Sequence, residues 1–160
     1  MHISTTVLPT VNGATVAFGE RRESPAILIL SNQKTSQAVR EVERVIHADV
    51  ATAHLPVIQL AHLVGVPRLA RKLAERDIRR GVSAQREALL KSRGLGFSDA
   101  SGLLETALDW QGEVTTQLGF SDADRQPLVA VLREDGTVAT VAPEIDVVAA
   151  VVDVLMPRTL

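Results

Sequence analysis

Hydroxyls and amides crowd into one short stretch: Ser31, Asn32, Gln33, Lys34, Thr35 and Ser36 follow directly on the apolar run AILIL. An amphipathic segment, AVREVERVIHA, begins immediately afterwards. A buried strand, a tight polar loop and a helix opening on that loop form the arrangement in which α/β proteins hold ligands and reacting groups. Thr35 or Ser36 could donate to an anion at the helix start, as backbone amides there do. The stretch has no strong acid, strong base, thiol or metal ligand, so its own chemistry is limited to hydrogen bonding. His62, at the end of the apolar run LPVIQLAHL, is the obvious general-base candidate elsewhere, since imidazole is the side chain most often used for proton transfer. The plain alternative is that these are loop caps and a strand-end histidine with structural partners.

The chain contains no cysteine. That excludes disulfides, thiolate nucleophiles, thiolate metal sites and iron–sulfur ligation together. His47, His54 and His62 do not rescue a metal reading, because spacings of seven and eight residues match neither a one-turn helical pair nor a compact strand pair. No metal or cofactor is expected. With 46% hydrophobic and 22% charged residues the chain is globular, and its 160 residues suit one domain, 1–160. Aromatics make up only 2% and the net charge is −2, which argues against base-stacking surfaces and a nucleic-acid partner. No stretch approaches the ~20 apolar residues of a membrane span. The N-terminus lacks the basic and apolar regions of a signal peptide, so a cytoplasmic location is expected.

The elements that must position these residues read as follows. Asn12-Gly13 predicts a hairpin turn between two short β-prone runs. The run 26–30 is a strand buried on both faces. Ser36 is a candidate N-cap for a helix with Val39, Val42, Val45 and Ile46 inward and Arg40, Glu41, Glu43 and Arg44 in solvent. The run 55–63 is the next buried strand. From Pro67 a basic helix is expected with Leu69, Leu73 and Ile78 inward, then a second helical piece capped by Ser83. Its cations Arg68, Arg71, Lys72, Arg76, Arg79 and Arg80 alternate with Glu75 and Asp77, the pattern of a solvated face. A loop over 94–102, a short element over 103–108 and a short helix over 113–118 precede the strand 128–132. Trp110 reads as a core anchor with its indole N–H bonded to a carbonyl. Glu134-Asp135-Gly136 turns into 138–141, and Pro143 introduces a Val-rich helix that is a candidate homodimer face.

Three stretches, PAILILSNQKTSQAVREV, LDWQGEVTTQLGFSDADRQP and LVAVLREDGTV, taken in order, resemble the thioredoxin-like fold in its peroxiredoxin-related (AhpC/TSA) branch, and within it the small YtfJ-like group. The resemblance implies an α/β fold with a mixed central sheet and helices on both faces. It departs at the decisive point: redox members place cysteine in the loop where Asn32 to Ser36 stand, so fold is implied and thiol chemistry is not. It also aligns Pro127 with a proline that is cis in that fold, making Gln126–Pro127 a cis candidate.

In that fold the 31–36 loop, the end of the 55–63 strand and the loop before Pro127 meet at one sheet edge. His62 is then the candidate base with Asn32 and Thr35 as polarising donors, and Gln33, Ser36, Gln126 and Pro127 are candidate binding positions. Two functions fit: a non-redox binding or interaction protein with a small-molecule or protein partner, or a cofactor-independent enzyme using the same pocket for acid/base chemistry.

Overall fold

The computed structural model describes residues 1–93, 104–141 and 146–156. Its centre is strand β3, Ala26–Ser31, whose first five residues are all buried because the run AILIL presents apolar side chains to both sheet faces. Around it lie β4 (Val57–His62), β5 (Leu104–Asp109), β6 (Leu128–Leu132) and β7 (Val138–Thr140), in the order β5-β4-β3-β6-β7. The β3–β4 and β4–β5 pairs are parallel, while β6 and β7 join antiparallel, giving the mixed sheet. Strands β1 (Thr6–Pro9) and β2 (Thr15–Phe18) form a separate hairpin turned at Asn12-Gly13, docked on β5 through a Thr10–Ala107 bridge.

Alternation along the strands divides the core. Ile27, Ile29, Val57 and Val131 pack with Val39 and Ile46 of α1 (Ser36–Ala48) and Val151 of α3 (Val147–Leu155). Leu28, Leu30, Ile58 and Leu60 meet Phe18 and Phe120 on the other face. A third cluster joins Ala61, Leu63 and Leu108 to Val82 of α2 (Arg71–Arg93).

Several local expectations change. The segment over 113–119 is a run of turns rather than a helix, entered and left by Gly112 and Gly119 at positive φ. Helix α2 is continuous, after a 3-10 turn at Arg68–Ala70, so Ser83 is interior to it and not a cap. Leu69 and Leu73 are exposed rather than inward, because the inner face of α2 runs through Ile78, Val82 and Leu89. Trp110 is half-buried and packs against the third cluster as expected, and the Arg71 guanidinium lies 5.1 Å from its ring centroid, a cation–π contact. Asp146 accepts from the Val148 and Ala149 amides and so caps α3. The expected 94–102 loop and the Pro143 helix start lie outside the described residues.

Candidate functional site

The loop after β3 is held by its own side chains. The Asn32 amide N–H donates to Thr35 Oγ1 at 2.9 Å, and that hydroxyl donates back to the Asn32 carbonyl at 3.2 Å. Asn32 Nδ2 donates to the carbonyls of Ser121 and Asp124, at 3.0 and 2.9 Å, while its Oδ1 accepts from the Lys34 amide. Asn32 therefore staples the 121–124 loop to the 31–36 loop with both of its amide protons. Thr35, not Ser36, occupies the N-cap position of α1, and its hydroxyl turns back into the loop instead of capping the helix.

His62 is set at the end of β4 by a buried chain of hydrogen bonds. The Asp109 carboxylate accepts from the amides of Glu113, Val114 and Thr115 and from the Thr115 hydroxyl, at 2.8 to 3.1 Å. A hydroxyl has one proton, and Thr115 gives it to Asp109; its oxygen therefore accepts from His62 Nδ1–H, 2.6 Å away. These roles put a proton on Nδ1, and Nε2 lies 3.6 Å from Asp122 Oδ1, a contact that becomes an ion pair when the imidazole carries its second proton. Gly112 closes the arrangement: at φ 70°, a Cβ there would stand 2.7 Å from Thr116 Oγ1 and 2.9 Å from Val64 Cγ2, with the imidazole at 3.6 Å. Thr115→Val removes the acceptor while keeping the shape. It is expected to cost about 1–2 kcal/mol and to move the proton toward Nε2, visible in the imidazole ¹⁵N shifts of His62. Unchanged shifts would show that Thr115 does not set the tautomer.

Beside this lies a cluster that sequence reasoning missed. Glu43 was expected in solvent but is buried with Val39 and Ile46 on the inner face of α1. Its carboxyl accepts from Gln59 Nε2 of β4, which also donates to Gln85 Oε1 of α2 at 3.0 Å. Loss of water raises the Glu43 carboxyl to about 7, against the opposing pulls of the Gln59 bond and the Arg40 charge. The signal available in the sequence was the spacing Val39–Glu43–Ile46, one residue per helical turn on a single face.

A cavity of about 320 Å³ joins the two features. Among its walls are Asn32, Gln33, Ser36 and His62, together with Gln59 and Gln85. Val39, Val66, Ile78 and Val82 supply apolar surface. Four of the expected site residues thus share one cavity. Thr35 is buried inside the loop, while Gln126 is exposed and neither it nor Pro127 lines the cavity. The Gln126–Pro127 bond is trans, correcting the cis expectation; trans is the lower-energy isomer of an X–Pro bond.

No protein-family model matches the chain, and no curated protein sequence matches it. Solved structures do. The exposed lipoprotein thioredoxin of Streptococcus pneumoniae superposes with a TM-score of 0.55 at 16% identity, over 95% of this chain and 98% of that one. A thiol-disulfide oxidoreductase from Bacteroides fragilis gives 0.56 at 14% identity, over 97% and 100%. StoA from Bacillus subtilis gives 0.53 at 12% identity, over 94% and 96%. Identities this low carry the fold alone. The chain has a thioredoxin-like α/β fold, with a mixed central sheet and without a single cysteine.

Proposed function

We propose that this chain is a non-redox binding protein of the thioredoxin-like fold that holds a small molecule in the cavity between the 31–36 loop, β4 and α2. Without cysteine it has no thiol with which to exchange disulfides or reduce peroxides. The observation that carries the binding reading is the fate of Asn32 and Thr35. The expected polarising donors spend their hydrogen bonds on the two loops, so what they build is a rigid rim. Binding to a preformed cavity loses little to ordering, which is what a rigid rim supplies. The same reading assigns the chain to the peroxiredoxin-related branch, on its ordered motifs, and takes it to be cytoplasmic.

The test is a fragment screen by ¹H–¹⁵N NMR. Shifts concentrated on Gln33, Ser36, Gln59, His62 and Val82 are expected. Hits that perturb only other surfaces, or none at all across chemically diverse fragments, would remove the proposal.

One observation favours a second reading, acid/base catalysis. His62 is oriented by Thr115 and through it by Asp109, as catalytic bases are oriented by a third group. That reading requires a bound fragment to be converted by the wild type and not by His62→Gln, with binding retained in both.

A further inference from the structure

A second cavity, of about 780 Å³, lies between α1 and α2, and Arg40, Gly81 and Gln85 line it as well as the first. Ala84, Ala88, Leu89 and Leu104 give it apolar surface, while Arg44 and His47 of α1 also line it. At the waist where the cavities meet, Gly81 occupies the interior of a 23-residue helix. Glycine there weakens the helix relative to alanine, because it loses more backbone freedom on folding. Nothing in the fold requires it. Its φ is not positive, and an added Cβ would meet no atom within 4 Å. The position without a side chain lines both cavities and faces open space.

Charged groups line both cavities, Arg40 and Asp77 in the first and Arg40, Glu43 and Arg44 in the second, and the neutral hydrogen-bonding side chains beside Glu43 are Gln59 in the first and Gln85 in both. In the Glu43–Gln59–Gln85 cluster the bonds use Glu43 Oε1, Gln59 Nε2 and Gln85 Oε1. Gln59 Oε1 and the Gln85 amide protons are outside those bonds, one acceptor and one donor type. They complement a group that both donates and accepts, as a secondary amide does. An anion at this waist would face the buried Glu43 carboxyl, and a cation would meet Arg40. The loop end of the first cavity offers Gln33, Ser36 and His62 to a polar head, close to the α1 N-terminus, which favours negative charge.

We infer that the two cavities form one groove that takes an acyl chain joined through an amide to a small polar head, the chain passing over Gly81 into the second cavity. This rests on the reading of the first cavity as a binding site and adds the ligand class.

N-decanoylglycine, kept below its aggregation concentration, tests it by calorimetry against N-acetylglycine, which lacks the tail, and decanoate, which lacks the amide. Each buried methylene adds roughly threefold to fourfold, so burial of about half of the eight extra methylenes should make N-decanoylglycine bind on the order of 100-fold tighter than N-acetylglycine. It should also bind several-fold tighter than decanoate. Gly81→Leu fills the waist and should abolish the gain from the tail, bringing N-decanoylglycine to the affinity that N-acetylglycine has for the same variant. Gly81→Ala should raise the melting temperature, confirming that the position tolerates a side chain. Equal affinity for the long and short acyl glycines would overturn the inference and leave the first cavity standing as a site. So would wild-type affinity for N-decanoylglycine in Gly81→Leu. Failure of all three probes to bind would also overturn it, while the fragment screen, with its wider chemistry, decides the broader reading separately.

Discussion

Asp109→Ala is expected to lower folding stability by about 3–5 kcal/mol, measured by urea unfolding at neutral pH. The carboxylate is fully buried and receives three consecutive backbone amides and a hydroxyl. Alanine leaves the Val114 and Thr115 amides and the Thr115 hydroxyl without their acceptor in a dry site, and each stranded donor costs about 1–3 kcal/mol before water or a local shift relieves part of it. The loss is large beside the ~5–15 kcal/mol of a typical domain. The effect reaches the cavity because Thr115 also accepts from His62, so the imidazole should lose its fixed orientation in the same variant. Asp109→Asn keeps one acceptor oxygen but turns two amide protons toward the donors. It should fall between alanine and wild type. If Asp109→Ala unfolds at nearly the wild-type urea concentration, the turn over 113–119 is held by its packing on Phe120 and Leu118 instead.

Much of the fold was legible because it depends on local pattern. The runs AILIL and LVAVL are too apolar for anything but buried strands, and Asn12-Gly13 and Asp135-Gly136 sit at turns that need positive φ, which Gly13 and Gly136 supply. Errors arose where a helix face is chosen by its distant partners. Leu69 in the 3-10 turn and Leu73 on α2 are as apolar as Ile78, yet they fall off the side that meets Leu63 and Leu108, and nothing near them in sequence says so. On α1, Glu43 was placed in solvent because acids rarely go inside unpaired. What makes the position tolerable is Gln59, sixteen residues on in the next strand, with Gln85 behind it on α2. The candidate site divides in the same way. The 31–36 loop and His62 were visible as residue types. The clamp on Asp109 was hidden in LDWQGEVTTQLGFSDADRQP, a stretch read only for its resemblance, and the waist at Gly81 exists only once α2 lies beside α1.

The pH dependence of stability should carry the signature of Glu43. In the unfolded chain its carboxyl ionises near the ordinary value of 4.5, whereas burial raises it to about 7 in the folded protein. Between those values the native state holds a proton that the unfolded state has released, so folding stability must fall as pH rises. The contribution is fully present below about 4.5, is lost progressively up to about 7, and is absent above it. The whole loss corresponds to about 3 kcal/mol as an order of magnitude. Other carboxylates titrate over part of the same range, so the informative quantity is the difference between wild type and Glu43→Gln. Glutamine keeps an oxygen for Gln59 Nε2 and cannot ionise. The two proteins should have similar stability near pH 4.5, and the variant should become more stable by up to about 3 kcal/mol at pH 8, measured by urea unfolding at half-unit intervals. A difference that stays constant across that range would mean that water reaches the carboxyl and that its charge is not confined. If the difference opens as expected, the cluster at the waist of the groove changes charge close to neutrality, and an uncharged amide should bind there more tightly at pH 6 than at pH 8. Glu43→Gln should then hold the tighter affinity at both values, which separates the charge of the side chain from its shape.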